Sequence, residues 1–227
     1  MITSNFYFSN RRYEGVIPFA PQWNMTSEAS RFKLLPEVGT NLEDRLVTGQ
    51  LLSFAASSVN YKALDRQYVS PPLKGAQTIS GRCTGFLQVL EVNANDNVDR
   101  IVTHMRLVSR DGLTDRGQTG YFVTGRVGTK EFNTVYQNRC IVSGTTNTTL
   151  TNMTGQDGDR IVLEIGYSTV AGGTSSQARA IWGVIEPAVT GNLTANEGQT
   201  SRVGWPWFRF VNSTLNFYTD ETSVTCD

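Results

Sequence analysis

GQDGDRIVLEIGY, residues 155–167, joins a polar glycine-rich turn directly to an alternating run of apolar and polar residues. At a period of two, the apolar residues fall on one face, namely Ile161, Leu163, Ile165 and Tyr167. Arg160 and Glu164 fall on the other face with Ser168, where we expect the two charged residues to be exposed and to pair with charges on adjacent strands. The stretch therefore predicts a half-buried strand of an antiparallel sheet.

Similar strand patterns recur along the chain at fairly even spacing, near residues 61–69, 77–92, 100–110, 119–126, 139–143, 148–154, 159–169, 178–186 and 205–217. Turn sequences rich in Asn, Asp and Gly separate many of them. The long gaps fit Greek-key crossovers better than hairpins, so the chain is predicted to be all-β, an antiparallel jelly-roll-like β-sandwich. Residues 41–52 fit a short helix and a strand equally well, and their secondary structure stays open at this point.

Composition sets limits on the class of protein. The 227 residues are 39% hydrophobic, which is enough for one large β-domain, assigned to residues 41–227. The formal net charge is zero, with 20 basic and 20 acidic residues and no basic stripe, so nucleic acid is not an expected partner. The start of the chain lacks a secretory signal pattern, and no window approaches the roughly 18 apolar residues of a membrane span. We expect a protein made in a cytoplasm, with no membrane partner.

Residues 1–40 combine several prolines and aromatic residues with weak periodicity. We interpret them as an irregular N-terminal arm that docks either on its own body or on a neighbouring subunit, with self-docking favoured. The candidate subunit or capsid contacts in this arm are Phe6, Tyr7, Phe8, Tyr13, Phe19 and Trp23.

Catalytic and cofactor motifs are not found in the sequence, which has no GxSxG elbow, phosphate-binding loop or dinucleotide fingerprint. His104, the single histidine, has no second metal ligand at a suitable spacing, so we interpret it as a packed or surface residue. We therefore predict a non-enzymatic protein with no catalytic residues, cofactor or metal. The 20 acidic residues leave a glycosidase carboxylate pair open.

Two further features also leave alternatives. The turn at Asn95, Asn97 and Asp99 does not meet the EF-hand requirements, but a looser calcium site there stays open. The odd number of cysteines argues against a disulfide framework, although Cys83 and Cys140 could pair if their strands are neighbours.

Five segments resemble, in the same order, a widespread set of phage and prophage virion structural proteins with a jelly-roll sandwich. They are RQYVSPPL (66–73), QTISG (77–81), MRLVSRDG (105–112), QDGDRIVLEIGY (156–167) and WPWFRF (205–210). The resemblance covers roughly residues 40–217, and the ordered combination is more specific than any one motif. It implies a component of a virion, assembled in the host cytoplasm, whereas residues 1–40 depart from the pattern.

Within that set, the expected function is capsid decoration. Such a cement protein would bind the head shell through the major capsid protein or other virion proteins. It would act as a homo-oligomer, with a trimer preferred, because one repeated patch then satisfies many equivalent sites. The alternative is a tail-associated receptor- or carbohydrate-binding module, in which aromatic rings stack on a glycan. Candidate platforms are Trp23, Tyr121, Trp182 and Trp205, although core packing explains each of them more simply.

Overall fold

The computed structural model describes residues 3–26, 29–35, 46–54, 61–91, 98–118, 122–123, 137–142, 150–169, 176–183, 207–211 and 215–218. This part of the chain contains strands and no helix, which confirms the all-β prediction. It accordingly contains no helix that is long and apolar enough to cross a membrane.

Thirteen strands lie within the described ranges. In chain order they are β1 (Thr3–Arg12), β2 (Ser30–Leu35), β3 (Leu46–Phe54), β4 (Tyr61–Val69), β5 (Gln77–Glu91), β6 (Val98–Val108), β7 (Asp115–Gln118), β8 (Phe122–Val123), β9 (Gln137–Val142), β10 (Leu150–Gly155), β11 (Arg160–Thr169), β12 (Ser176–Gly183) and β13 (Trp207–Val211). Within the open stretch at 41–52, residues 46–52 belong to β3 and form a strand, whereas residues 41–45 lie outside the described residues.

A mixed sheet of six strands, in the order β1-β2-β4-β11-β6-β7, forms the centre of the described structure. β2 and β4 run parallel, and the other neighbours in this sheet run antiparallel. The prediction of a wholly antiparallel sheet is therefore wrong at one pair. β10 pairs with β5 in a smaller sheet, and β13 pairs with both β1 and β5. The jelly-roll topology stays a prediction.

The N-terminal residues contribute two strands to this sheet. The prediction of an irregular arm over residues 1–40 is wrong for β1, which pairs with β2 and β13, and for β2, which pairs with β4. The physical reason is a short period-two pattern, because Phe6 and Phe8 in β1 and Phe32 and Leu34 in β2 all face the core. Residues 13–26, which follow β1, lack regular strand structure apart from one bridge at Met25.

Both faces of β11 are buried. On the first face, the predicted apolar set of Ile161, Leu163, Ile165 and Tyr167 is fully buried in the main hydrophobic core. On the second face, two smaller apolar clusters form against the segment of residues 13–26, hereafter the covering segment. One cluster contains Ile17, Val69, Val108 and Val162, and the other contains Ala20, Trp23, Leu64 and Val102. The prediction of a half-buried strand is wrong because the covering segment lies on the face that we expected to be exposed.

The structure bears on the possible Cys83–Cys140 disulfide but not on the loose calcium site at residues 95–99. β5 and β9 are neighbours, but their register places Cys140 opposite Phe86, three residues from Cys83. That offset is about 10 Å along a strand, more than the roughly 7 Å of Cα separation that a disulfide spans. Asn95 and Asn97 of the loose calcium site lie outside the described residues.

Candidate functional site

Glu164 lies at the centre of the second sheet face, with no exposed surface. The strand register places it directly opposite Gln67 of β4 on one side and His104 of β6 on the other. Residues opposite each other on one sheet face have neighbouring side chains, so pairing brings three polar groups together. The prediction that Glu164 is exposed is wrong.

The carboxylate of Glu164 accepts hydrogen bonds from three elements. Its Oε1 accepts from Arg106 Nη2 at 2.9 Å, from Gln67 Nε2 at 3.0 Å and from the Ala20 backbone N–H at 3.0 Å. Its Oε2 accepts from Trp23 Nε1 at 2.7 Å and from the same Ala20 N–H at 3.2 Å. A buried carboxylate needs such partners, because an unpaired buried charge costs several kcal/mol.

Arg106 of β6 links this carboxylate to the covering segment and to the sheet edge. Its Nη2 donates to the Pro18 carbonyl as well as to Glu164, and its Nη1 forms an ion pair with Asp115 at 3.1 Å. Arg31 makes a second link, since its Nη2 donates to the Ile17 carbonyl at 3.1 Å. The backbone of residues 17–20 is thus fastened to the sheet by charge-assisted hydrogen bonds.

The pKa of Glu164 is lowered from its usual value, although burial alone would raise it. The interaction with His104, the charge of Arg106 and the hydrogen bonds from Gln67 and Trp23 outweigh the burial effect. His104 Nδ1 lies 3.7 Å from Oε2, which is longer than a hydrogen bond, whereas the contact with Arg106 is 2.9 Å. We therefore assign the main stabilisation to Arg106. Glu164 is an ionised structural anchor, enclosed on every side, and not a group placed to meet a substrate.

A cleft with a volume of about 660 Å³ lies at the start of the covering segment. Its lining includes two tyrosines, three basic residues and two acidic residues, namely Tyr13, Tyr218, Lys33, Arg110, Arg160, Glu14 and Asp157. Aromatic and ionisable groups that meet in a concave surface are typical of ligand sites.

Contacts within the protein hold the walls of this cleft in place. Asp157 accepts hydrogen bonds from the Gly75 N–H at 2.7 Å and from the Tyr218 hydroxyl at 2.8 Å, and these bonds lower the pKa of Asp157. The hydrogen bond between the Tyr218 hydroxyl and Asp157 also raises the pKa of Tyr218. Arg160 Nη1 donates to the Ser70 carbonyl at 2.8 Å, and its guanidinium lies 5.7 Å from the centre of the Tyr13 ring.

The six residues that were predicted as subunit or capsid contacts lie in different environments. Phe6 and Phe8 are fully buried in the main core, and Phe19 lies half-buried beneath the guanidinium of Arg31 at 4.1 Å. Tyr13 lines the cleft and Trp23 is buried, whereas only the backbone of Tyr7 is described. Contacts between these residues and a partner chain stay a prediction.

Of the four aromatic residues considered as sugar platforms, only Trp23 has a side chain that the structure describes. Trp23 is 7% exposed and its indole N–H is bonded to Glu164, so its proposed use as a platform is wrong. Trp182 is described only as backbone, and Tyr121 and Trp205 lie outside the described residues. Sequence reasoning missed the cleft and the Glu164 anchor. One signal was present for the anchor, because Val162 and Gly166 share the face of Glu164 and make that face only partly polar.

Comparison with known proteins gives no family assignment, since no protein-family model matches the chain and no curated protein is significantly similar to it.

Proposed function

We propose that this chain is a non-enzymatic structural protein of a bacteriophage particle, namely a capsid decoration protein that binds the head shell. The observation that carries the proposal is the arrangement of the segments that resemble phage virion proteins. Residues 66–73, 105–112 and 156–167 are far apart in sequence, yet they belong to the neighbouring strands β4, β6 and β11 and to the turns at their ends.

Hydrogen bonds connect two of these segments, 66–73 and 156–167, at one end of the sheet. The Ser70 N–H donates to the Ile161 carbonyl at 2.9 Å, and the Leu73 N–H donates to the Asp159 carbonyl at 2.8 Å. In return, the Gly158 N–H donates to the Leu73 carbonyl at 2.8 Å. Three of the five motifs thus form one spatial unit, which supports a shared scaffold, whereas the motifs at 77–81 and 205–210 lie in or extend into β5 and β13. This supports a structural role for the motifs in the proposed particle protein.

The surface offers a contact for such a particle. Val16 is 75% exposed and Leu113 is 73% exposed, and they are two of the exposed large hydrophobic residues in the described part of the chain. The backbone at Gly112, which precedes Leu113, lies near the backbone of Val16, because a Cβ atom built on Gly112 would lie 3.6 Å from the Val16 carbonyl oxygen. Exposed apolar side chains on neighbouring stretches of backbone favour protein contacts, and repetition over a shell multiplies a weak contact.

The deciding experiment is to measure the location and copy number of this chain in purified particles. Quantitative mass spectrometry and antibody labelling in electron micrographs would supply both. We expect hundreds of copies distributed over the head. Absence of the chain from purified infectious particles would overturn the proposal, as would hydrolysis of a capsule polysaccharide by the pure protein. Sedimentation-velocity ultracentrifugation of the pure protein tests the trimer, which a monomer at micromolar concentration would contradict.

A tail-associated carbohydrate-binding module is the second candidate function. The cleft favours it, because Tyr13, Tyr218 and Arg160 supply the aromatic and hydrogen-bonding groups that a glycan needs. A few copies at the tail tip, instead of many on the head, would support this candidate over decoration.

A further inference from the structure

We propose that the cleft lined by Tyr13, Tyr218, Arg110 and Arg160 binds a carboxylated oligosaccharide, that is, a chain containing uronic or sialic acid. This inference deepens the second candidate function and rests on it. It concerns the pure protein and is independent of the position of the chain on a particle.

The size and lining of the cleft fit a saccharide. A volume of about 660 Å³ lies in the range of roughly 300–1,000 Å³ that is usual for small-ligand sites. The Tyr218 ring is 41% exposed and offers a flat apolar face, on which the C–H face of a sugar ring can stack, whereas the Tyr13 ring lies under the Arg160 guanidinium. The basic and acidic groups around them supply donors and acceptors for hydroxyl groups.

The charges of the cleft favour an acidic sugar over a neutral one. Lys33, Arg110 and Arg160 outnumber Glu14 and Asp157. The Asp157 carboxylate is already engaged by a backbone N–H and by the Tyr218 hydroxyl, so less of its hydrogen-bonding capacity is left for a ligand.

Arg110 is the group that we expect to bind the ligand carboxylate. Its side chain is exposed and forms no hydrogen bond or ion pair with the described residues, although its charge helps to lower the pKa of Asp157 across the cleft. Its side chain packs over Gly158, because a Cβ atom built on that glycine would lie 3.0 Å from Arg110 Cδ. Gly158 has a φ of 84° and forms the turn that carries Asp157, so this turn supports the arginine stem beside the cleft. A guanidinium presents paired N–H groups that match the two oxygens of a carboxylate.

Arg160 has a different role in this proposal. One of its N–H groups is committed to the Ser70 carbonyl, and its guanidinium lies over the Tyr13 ring. We therefore assign it to positioning the wall of the cleft, and Arg110 to recognition of the charge.

The test uses the full chain and pairs of saccharides that differ in the acidic group. Calorimetric titrations compare trigalacturonic acid with its methyl ester, and sialyllactose with lactose. We expect at least one acidic member to bind about tenfold more tightly than its neutral partner, and more weakly as salt is raised. No binding of either acidic probe at millimolar concentration would overturn the inference. Equal affinity within both pairs would also overturn it.

Variants test the assignment of residues. We expect Arg110→Gln to weaken binding of the acidic probe about tenfold while leaving the neutral partner unchanged. The matched control is Lys74→Gln, which removes one exposed positive charge outside the lining of the cleft. Tyr218→Ala should weaken acidic and neutral probes alike, because it removes a stacking surface rather than a charge. Equal effects of Arg110→Gln and Lys74→Gln would overturn the site, and thermal unfolding of each variant verifies that it is folded.

The particle experiment separates this inference from the proposed functions. A protein that lies at the tail tip but binds neither acidic probe would overturn the saccharide inference alone. A protein that binds the acidic probe but is absent from purified particles would overturn the virion role alone.

Discussion

Glu164 is a buried charge whose contacts connect distant parts of the chain. Its partners Ala20 and Trp23 belong to the covering segment, and Gln67 and Arg106 belong to the strands on either side of it. Removing one member of a buried charged group usually costs more than the pair contributes, because the remaining charge loses its partner. The carboxylate therefore contributes to attachment of the covering segment, beside the hydrogen bonds from Arg31 and Arg106 and the two apolar clusters.

Replacement of this carboxylate by an amide should destabilise the protein. In Glu164→Gln, the NH₂ group would face donors that now bond to a carboxylate oxygen, and Arg106 would keep only Asp115 as an ion-pair partner. We expect the free energy of unfolding at pH 7 to fall by about 3–5 kcal/mol in chemical denaturation. The control is Glu14→Gln, because Glu14 is an exposed carboxylate. This substitution should change the free energy of unfolding by about 0.5 kcal/mol or less. Equal losses in the two variants would contradict the anchor.

The same carboxylate predicts a dependence of stability on pH. The pKa of Glu164 is lowered from its usual 4.5, so the folded state binds the proton less readily than the unfolded state. The stabilisation is fully present above 4.5 and is lost as pH falls through the lower folded pKa. We expect the stability difference between the wild type and Glu164→Gln to be constant near neutral pH and to shrink below 4.5. Urea denaturation of both proteins at a series of pH values measures this difference. A difference that grows with acid would contradict the sign of the shift.

At the scale of single elements, several strand positions from β4 onward were predictable, whereas β1, β2 and the burial of the second face of β11 were not. The patterns at 61–69, 77–92 and 159–169 match β4, β5 and β11 almost residue for residue, because period two is a local property of the chain. The exposure of the second face of β11 depends on the covering segment, about 140 residues away, and periodicity carries no information about such a contact. Only the presence of Val162 and Gly166 beside Glu164 hinted that water is excluded there.

β11 also offers a direct test of the first sheet face. Leu163 is fully buried in the main core, so Leu163→Ala should lower the free energy of unfolding by about 2–5 kcal/mol. Leu113→Ala makes the same chemical change at a residue that is 73% exposed, and should cost about 0.5 kcal/mol or less. Thermal or chemical denaturation of the two variants compares them. Similar losses would mean that the first face is not the core.

For the whole molecule, the important feature is that the N-terminal region packs against strands from distant parts of the sequence. β1 pairs with β13 near the other end of the sequence, and the covering segment lies on the central strands. The candidate site was hard to predict for this reason. The cleft combines Tyr13, Arg110, Asp157 and Tyr218, which are spread over most of the chain. Nothing in the sequence marked Arg110, Asp157 or Tyr218 as binding residues, and their proximity depends on strand order, which no local pattern specifies.

The exposed apolar pair provides a test of the decoration proposal at this scale. Val16 and Leu113 contribute little to the folded core, so the double replacement Val16→Ser and Leu113→Ser should leave the unfolding midpoint nearly unchanged. If these side chains contact the shell, the double variant should bind particles that lack the chain about tenfold more weakly, because the contact loses its apolar area. Sedimentation of particles with labelled protein measures the bound fraction. Tyr218→Ser is the matched control, since it removes an apolar surface that is 41% exposed at the cleft instead. Reduced binding in the control alone would move the shell contact to the cleft and contradict its assignment to the apolar pair.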